Sequence, residues 1–218
     1  MVSGIVILGI GILAVSFLIN RSFEEMFPKE VSAGIVAHRG GGIEGPKNTV
    51  AGLNTAWEAG AYGSEIDIQR AKDGHYVVNH DGTFQRTAGD GRTPEEMTLE
   101  EVRTLSVDGE PVATFEEMLE AAHGKLILFT ELKGDTAALN CDYLGLEEES
   151  ATADAISAIH AQGKKALVWT ANEEKSQKHF LCSEVDGVIT DNVRQAAGIV
   201  EELEKRTDLE RIIDWLFT

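Results

Sequence analysis

Positive charge is scarce in this chain: 19 Lys and Arg stand against 37 Asp and Glu, a formal net charge of −18 over 218 residues. So acidic a surface repels polyphosphate backbones, which excludes DNA and RNA as expected partners. Any phosphate that binds must then be met by local cations or by a metal. Cysteine is nearly absent. Cys141 and Cys182 allow at most one bridge, and neither a zinc pattern nor a disulfide framework can be written with them. Low-complexity tracts are missing too, and 43% hydrophobic residues suffice for one substantial core.

One stretch lacks charge altogether. Residues 2–20 (VSGIVILGIGILAVSFLIN) are close to the roughly 20 apolar residues that cross a bilayer. A segment apolar on every side fits lipid better than a globular surface. No Lys or Arg precedes it and no small-residue cleavage site follows, so a cleaved signal peptide is disfavoured. The expected organisation is a transmembrane anchor at 1–20, a linker at 21–33 and a folded domain at 34–218. Arg21 favours a cytoplasmic C-terminal flank, but Glu24 and Glu25 follow it and a single arginine is a weak topological signal.

What is present is a series of apolar runs that end in polar residues. Ile35 to Ala37 read as a buried strand that delivers His38, Arg39 and then Gly40, Gly41 and Gly42. The arginine can meet two phosphate oxygens, and the glycines allow backbone N–H groups to approach an oxyanion. Along 62–68 the side chains alternate, so Glu65 and Asp67 share one face, an expensive arrangement unless a cation holds them. The run at 75–80 ends in His80. That at 125–132 places Glu131 on the same face as Lys133, and those at 165–170 and 186–190 end in Trp169 and Asp191. Helices are expected from about 49 to 60, after Thr98 and Thr114 as capping-box starts, and at about 151–162, 172–182 and 193–205. Strands alternating with helices argue for a parallel sheet. Polar residues gathered at successive strand ends argue for a TIM-barrel-like α/β fold with its site at the C-terminal rim.

Gly40-Gly41-Gly42-Ile43-Glu44-Gly45 also fits the dinucleotide-binding pattern, with Glu65 downstream. That reading leaves His38, Arg39, Asp67, His80, Glu131 and Lys133 without a task. Collected instead as one set, Glu65, Asp67 and Glu131 are oxygen ligands suited to calcium or magnesium. His38 and His80 are residues of a type that exchanges protons near neutrality, and Arg39 and Lys133 are cations. Such a set serves phosphate-ester hydrolysis.

The sequence resembles the glycerophosphodiester phosphodiesterase family, in particular its membrane-linked bacterial branch. The pattern H-R-G, P-E-N-T, E-x-D, H-D, E-x-K, W-T stands here as His38-Arg39-Gly40, Pro46-Lys47-Asn48-Thr49, Glu65-Ile66-Asp67, His80-Asp81, Glu131-Leu132-Lys133 and Trp169-Thr170. The resemblance implies a TIM barrel, a divalent metal (Ca2+ or Mg2+) on Glu65, Asp67 and Glu131, and His38 and His80 as the catalytic acid/base pair. It further implies substrate contacts from Arg39, Lys133 and Trp169, with sn-glycerol 3-phosphate and an alcohol as products. The hydrophobic leader implies a protein held in the cell membrane with its catalytic domain outside the cytoplasm. Lys47 departs from the pattern, standing where an acid is usual.

A second departure concerns size. A closed barrel of eight units takes about 250 residues and seldom fewer than about 200. Between Lys133 and Lys164 there is one weak strand candidate near 143–146 and one helix, where the resemblance calls for about two further strand–helix units. The expectation is an incomplete barrel, and with it an alternative function: a membrane-tethered phosphodiester-binding protein with weak or no turnover.

Overall fold

The computed structural model describes residues 31, 33–132 and 141–207. The expected anchor at 2–20, most of the linker and Lys133 lie outside the described residues. Among those described, no helix is long and apolar enough to cross a membrane. The chain divides into one unit, Ser32–Val200, which holds every described strand, and a second made of Met1–Val31 and Glu201–Thr218.

The elements are β1 (Gly34–Ala37), α1 (Val50–Glu58), β2 (Gly63–Arg70), β3 (Tyr76–Val78), α2 (Gln85–Ala88), α3 (Leu99–Val102), β4 (Ser106–Val107) and β5 (Glu110–Pro111). They continue with α4 (Phe115–Ala122), β6 (Ile127–Leu132), β7 (Tyr143–Glu147), α5 (Ala153–His160), β8 (Lys165–Trp169), α6 (Glu174–Leu181), β9 (Gly187–Thr190) and α7 (Val193–Lys205). Threonines start four of the helices. Thr49, Thr98, Thr114 and Thr152 each accept a backbone N–H from the first turn, and Glu101 and Glu117 complete capping boxes at α3 and α4.

Six strands run parallel in the order β6-β2-β1-β9-β8-β7. The first and last described strands meet in the middle of this sheet, since β1 pairs with β9 over its whole length. Two strands short of the usual eight, the sheet leaves β6 and β7 with one strand partner each among the described residues. It nonetheless curls until its two edges meet through side chains: the rings of Phe129 on β6 and Tyr143 on β7 lie edge to face with centroids 4.9 Å apart. Inside the curl, Val36, Phe129, Leu167 and Ile189 form one apolar cluster, with Tyr143 packed on it. Glycine makes room for it. A Cβ on Gly63 would stand 2.5 Å from the Phe129 ring, and one on Gly187 would stand 2.8 Å from Leu167.

The outer face of the sheet carries the helices. Leu53 of α1 and Met118 of α4 pack with Ile66, Ile68 and Val78, all buried. Burying such a side chain contributes on the order of 1.5–3 kcal/mol. The long connection after β3 holds its own small core of Phe84, Met97, Val102 and Val112.

Two elements differ from the sequence expectation. The run at 75–80 is not a barrel strand: β3 returns antiparallel along the end of β2, with Ile68 opposite Val78. The few residues between them are too few for a parallel crossover, which needs a dozen or more. The weak candidate near 143–146, in contrast, is a full parallel strand, β7, paired with β8 from Tyr143 to Glu147. Its Gly145 and exposed Glu147 dilute the apolar signal that marks the other strands.

Candidate active site

The C-terminal ends of β1, β2, β6, β8 and β9 converge on one rim, and the short β3 hairpin adds His80 from the side. A cavity of about 640 Å³ opens there, lined by His38, Arg39, Glu65, His80, Glu131 and Trp169 among others. Four strands, β1, β2, β6 and β8, and one hairpin therefore bring six of the eight sequence-predicted residues to a single cavity. Asp67 joins the set through its neighbours, and Lys133 lies outside the described residues.

The carboxylates owe their closeness to register. In the β2–β6 pair Asp67 stands opposite Glu131, and Glu65 lies two residues back on the same face. Ligand oxygens of all three are within 4.8 Å of one another. Glu65 and Asp67 are buried and Glu131 is exposed. Burial first, and then the charge of Asp67, push the Glu65 carboxyl up to about 8. One of its oxygens, Oε2, accepts the Arg39 backbone N–H at 2.9 Å, while the buried Oε1 has no hydrogen-bond partner. A hard divalent cation answers both facts, supplying the missing partner and the positive charge that three adjacent carboxylates require.

Each histidine is oriented by a carboxylate. His38 Nδ1 lies 3.0 Å from Asp191 Oδ1; the carboxylate only accepts, so Nδ1 is the donor. His80 Nδ1 donates likewise to Asp81 Oδ1 at 2.8 Å. Its Nε2 lies 2.9 Å from Arg39 Nη2, which can only donate, so His80 is the neutral Nδ1–H tautomer in this arrangement. Asp81 is held in turn by Arg86, Nε to Oδ2 at 2.6 Å and Nη2 to Oδ1 at 3.0 Å. Those two bonds, followed by that of His80, lower its carboxyl to about 2. Burial alone would raise Asp191, but hydrogen bonds from His38, Lys47 and Asn172 hold it well below the usual carboxylate range.

Several residues of this site have contacts that the linear sequence does not show. Asp191 stands out only as a carboxylate at a strand end; the β1–β9 pairing sets it beside His38. Lys47 Nζ reaches the same Asp191 Oδ1 at 2.5 Å, and Asn172 Nδ2 donates to Oδ2 at 2.9 Å. Asn48 belongs to the site as well as to the helix start, since its Nδ2 donates to Asp67 Oδ2 at 3.0 Å.

The glycine loop does something other than expected. The N–H groups of Gly40, Gly41 and Gly42 donate to the carbonyls of Glu65 (2.7 Å), Arg39 (3.1 Å) and His38 (3.0 Å), so the protein itself takes them and no oxyanion cradle is left. The reason for glycine is close packing. Gly42 has φ +62°, and a Cβ there would stand 2.2 Å from the Asp191 carbonyl oxygen. The loop thus locks the β1 turn against the end of β9, which also closes off the dinucleotide reading.

Comparison with known proteins agrees with this geometry. The model of the glycerophosphoryl diester phosphodiesterase family matches residues 38–144 and 130–195. A glycerophosphodiester phosphodiesterase of Caldanaerobacter subterraneus is 36% identical over 124 residues, covering 53% of this chain and 49% of that protein. The chain thus spans about half the length of the first curated relatives it matches. One from Bacillus altitudinis is 24% identical over 242 positions that engage 78% of this chain and 99% of the relative, so the relative has stretches with no counterpart here. In fold, the chain resembles a phosphodiesterase of Oleispira antarctica solved with the product sn-glycerol-3-phosphate, at TM-score 0.64 and 18% identity, covering 82% of this chain and 99% of that one. Rim, carboxylate cluster and family match coincide along residues 38–195, and the chain belongs to the glycerophosphoryl diester phosphodiesterase family.

Proposed function

We propose that the chain hydrolyses glycerophosphodiesters to sn-glycerol 3-phosphate and an alcohol, in a reaction that depends on a divalent cation, calcium or magnesium. The observation that carries this reading is the three-carboxylate cluster of Glu65, Asp67 and Glu131 in one cavity with two carboxylate-oriented histidines and Arg39. Names of relatives support it: several are glycerophosphodiester phosphodiesterases, and the Oleispira protein was solved with the product. A cation on the three carboxylates would supply Lewis-acid withdrawal of charge from the phosphoryl oxygens.

The chain's own residues divide the remaining work. Arg39 turns from His80 to the phosphate, where its fork fits two oxygens. His38, with its Nδ1–H fixed on Asp191 and Nε2 lone pair available, takes the proton of the attacking hydroxyl. His80, released by Arg39, carries a proton on Nε2 to the departing alcohol, and Asp81 stabilises the imidazolium in the meantime. Trp169 at the rim and Lys133 would contact substrate. Residues 2–20 would anchor the protein in the cell membrane of a bacterium, with the folded domain outside the cytoplasm and its substrates among the breakdown products of lipids.

The test is release of glycerol 3-phosphate from glycerophosphocholine by the full chain, with calcium, with magnesium and with chelator. The proposal predicts turnover that chelation removes and that His38→Ala and His80→Ala each diminish. Unchanged turnover in both variants would overturn it. That β6 and β7 each pair with one strand among the described residues favours a second reading, a phosphodiester-binding protein without turnover. Calorimetric binding of calcium and glycerophosphocholine with no release of product would establish that one instead.

A further inference from the structure

Behind the rim, a row of hydrogen-bonded side chains runs from a buried helix position to His38. Gln177 of α6 is fully buried, and its Nε2 faces three acceptors: the Ala171 carbonyl at 3.2 Å, Thr190 Oγ1 at 2.7 Å and the Asn192 carbonyl at 3.4 Å. One amide thus ties together the loop after β8, the end of β9 and the loop after that. The two carbonyls can only accept, so the amide nitrogen is the atom that points at them. Its Oε1 is buried with no hydrogen-bond partner among the described residues. An aliphatic side chain of similar volume would not carry that cost, so packing alone does not account for glutamine here.

From this anchor the direction of each bond follows. Thr190 Oγ1 accepts from Gln177 and also from the Asn192 backbone N–H at 3.0 Å, which leaves its own hydrogen to donate to Asn172 Oδ1 at 3.3 Å. The same Asn172 oxygen accepts the Asp191 backbone N–H at 2.8 Å, so Nδ2 is turned to the carboxylate and donates to Asp191 Oδ2. Asp191 Oδ1 is then the oxygen left for His38 Nδ1 and Lys47. Neither amide can flip without setting two acceptors face to face.

We propose that Gln177, Thr190 and Asn172 form a positioning relay that holds Asp191, and through it the His38 imidazole, in the orientation that proton abstraction requires. Its purpose rests on the hydrolase reading above. Lys47 brings charge to the same carboxylate on a flexible, 40% exposed stem, which sets no direction. Direction comes from the buried end. The other histidine is supported differently: Asp81 is held by Arg86, whose side chain is 62% exposed.

The experiment uses the full chain and four variants: Thr190→Val, which keeps the shape and removes the hydroxyl, Thr190→Ser, which keeps the hydroxyl, Gln177→Met, and the double variant Gln177→Met with Thr190→Val. Turnover of glycerophosphocholine is read with calcium. The His38 Nδ1–H proton, assigned by its loss in His38→Ala, is read by NMR in chelator. Thr190→Val should lower kcat by about five- to tenfold at unchanged KM and speed the exchange of the His38 proton with water, while Thr190→Ser should restore most of both. The double variant should lose no more than the worse single one, because one row of bonds is cut twice. Should Gln177→Met fail to fold, the Thr190 pair decides alone. Unchanged kcat and exchange in Thr190→Val, or no protected proton on His38 in an unaltered chain that turns over, overturns the relay and leaves the phosphodiesterase reading intact. A loss of turnover that Thr190→Ser shares in full, with His38 exchange unmoved, is a packing effect and overturns the relay as well. Faster exchange in Thr190→Val with no turnover by the unaltered chain keeps the relay and overturns the hydrolase reading. No turnover and no change in exchange overturns both.

Discussion

The middle of the curled sheet and its two edges are built differently. β2, β1 and β9 each have neighbours on both sides; Val36, Ala37, Ile66, Asp67 and Val188 are 0–1% exposed, and from these strand ends come His38, Arg39, Glu65, Asp67 and Asp191. Among the described residues β6 and β7 have a strand neighbour on one side alone. Ile127 is 41% exposed, and the edge-borne Glu131 is exposed where Glu65 and Asp67 are buried. Among the described residues the family pattern stands on six parallel strands, and most of its residues, though not Glu131 or His80, come from strands with neighbours on both sides. The edges carry what tolerates solvent.

The sharpest way to break this comparison is at the centre. His38→Ala should lower kcat/KM by about 10²–10⁴-fold, as loss of a general base does. His80→Ala should fall in the same range, and product release from glycerophosphocholine measures both. If Glu131→Gln at the edge costs far more than either, the centre is not the seat of the chemistry. Stability offers the next contrast. Ile66→Ala, at a fully buried central position, should cost about 2–5 kcal/mol in urea unfolding, and Ile127→Ala, half exposed at the edge, under about 1 kcal/mol. Equal costs would mean that the β6 edge is covered in solution.

Most of the centre was legible in the sequence, for physical reasons. Strand alternation alone puts Glu65 beside Asp67, and apolar runs ending in polar residues mark each strand's rim end. What stayed illegible depends on pairings between distant segments. Nothing local sets Asp191 beside His38, 153 residues away; the β1–β9 register does. Nothing local shows that the glycine N–H groups are spent on carbonyls of Glu65, Arg39 and His38, since a glycine run reads alike whether it cradles an anion or packs against a strand. The misassigned β3 followed from composition without length: its residues suit a strand, and only the short return from β2 decides its direction.

The pH dependence of stability separates the centre from the rest in the metal-free protein. The Glu65 carboxyl is raised from 4.5 to about 8 in the folded state. Between those values the folded chain holds a proton that the unfolded chain has lost, so stability falls as pH rises through the window. The effect is on the order of a few kcal/mol, and with about 2–4 °C per kcal/mol for a chain of this size, Tm in chelator should drop by several degrees from pH 5 to pH 8. Calcium or magnesium should flatten the curve by binding the carboxylate form. A Tm in chelator that rises over the same window would remove the burial argument for Glu65, and with it the reason to put a cation there.

The smallest expected effect tests the departure at position 47. Where the family pattern has an acid, Lys47 places its ammonium 2.5 Å from Asp191 Oδ1, the oxygen that also takes the His38 proton. An acid in place of Lys47 would set a second negative charge near Asp191, where this chain has an ion pair. Lys47 is 40% exposed, however, and Asp191 keeps His38 and Asn172 as partners without it. A solvent-exposed pair of this kind is worth up to about 1 kcal/mol, so Lys47→Met should change kcat by no more than about fivefold and leave KM unchanged. Lys47→Glu should cost more than Lys47→Met, because two carboxylates would then share one site. If Lys47→Met costs as much as His38→Ala, and the loss falls on KM, then the ammonium works on the substrate phosphate and its contact with Asp191 is secondary.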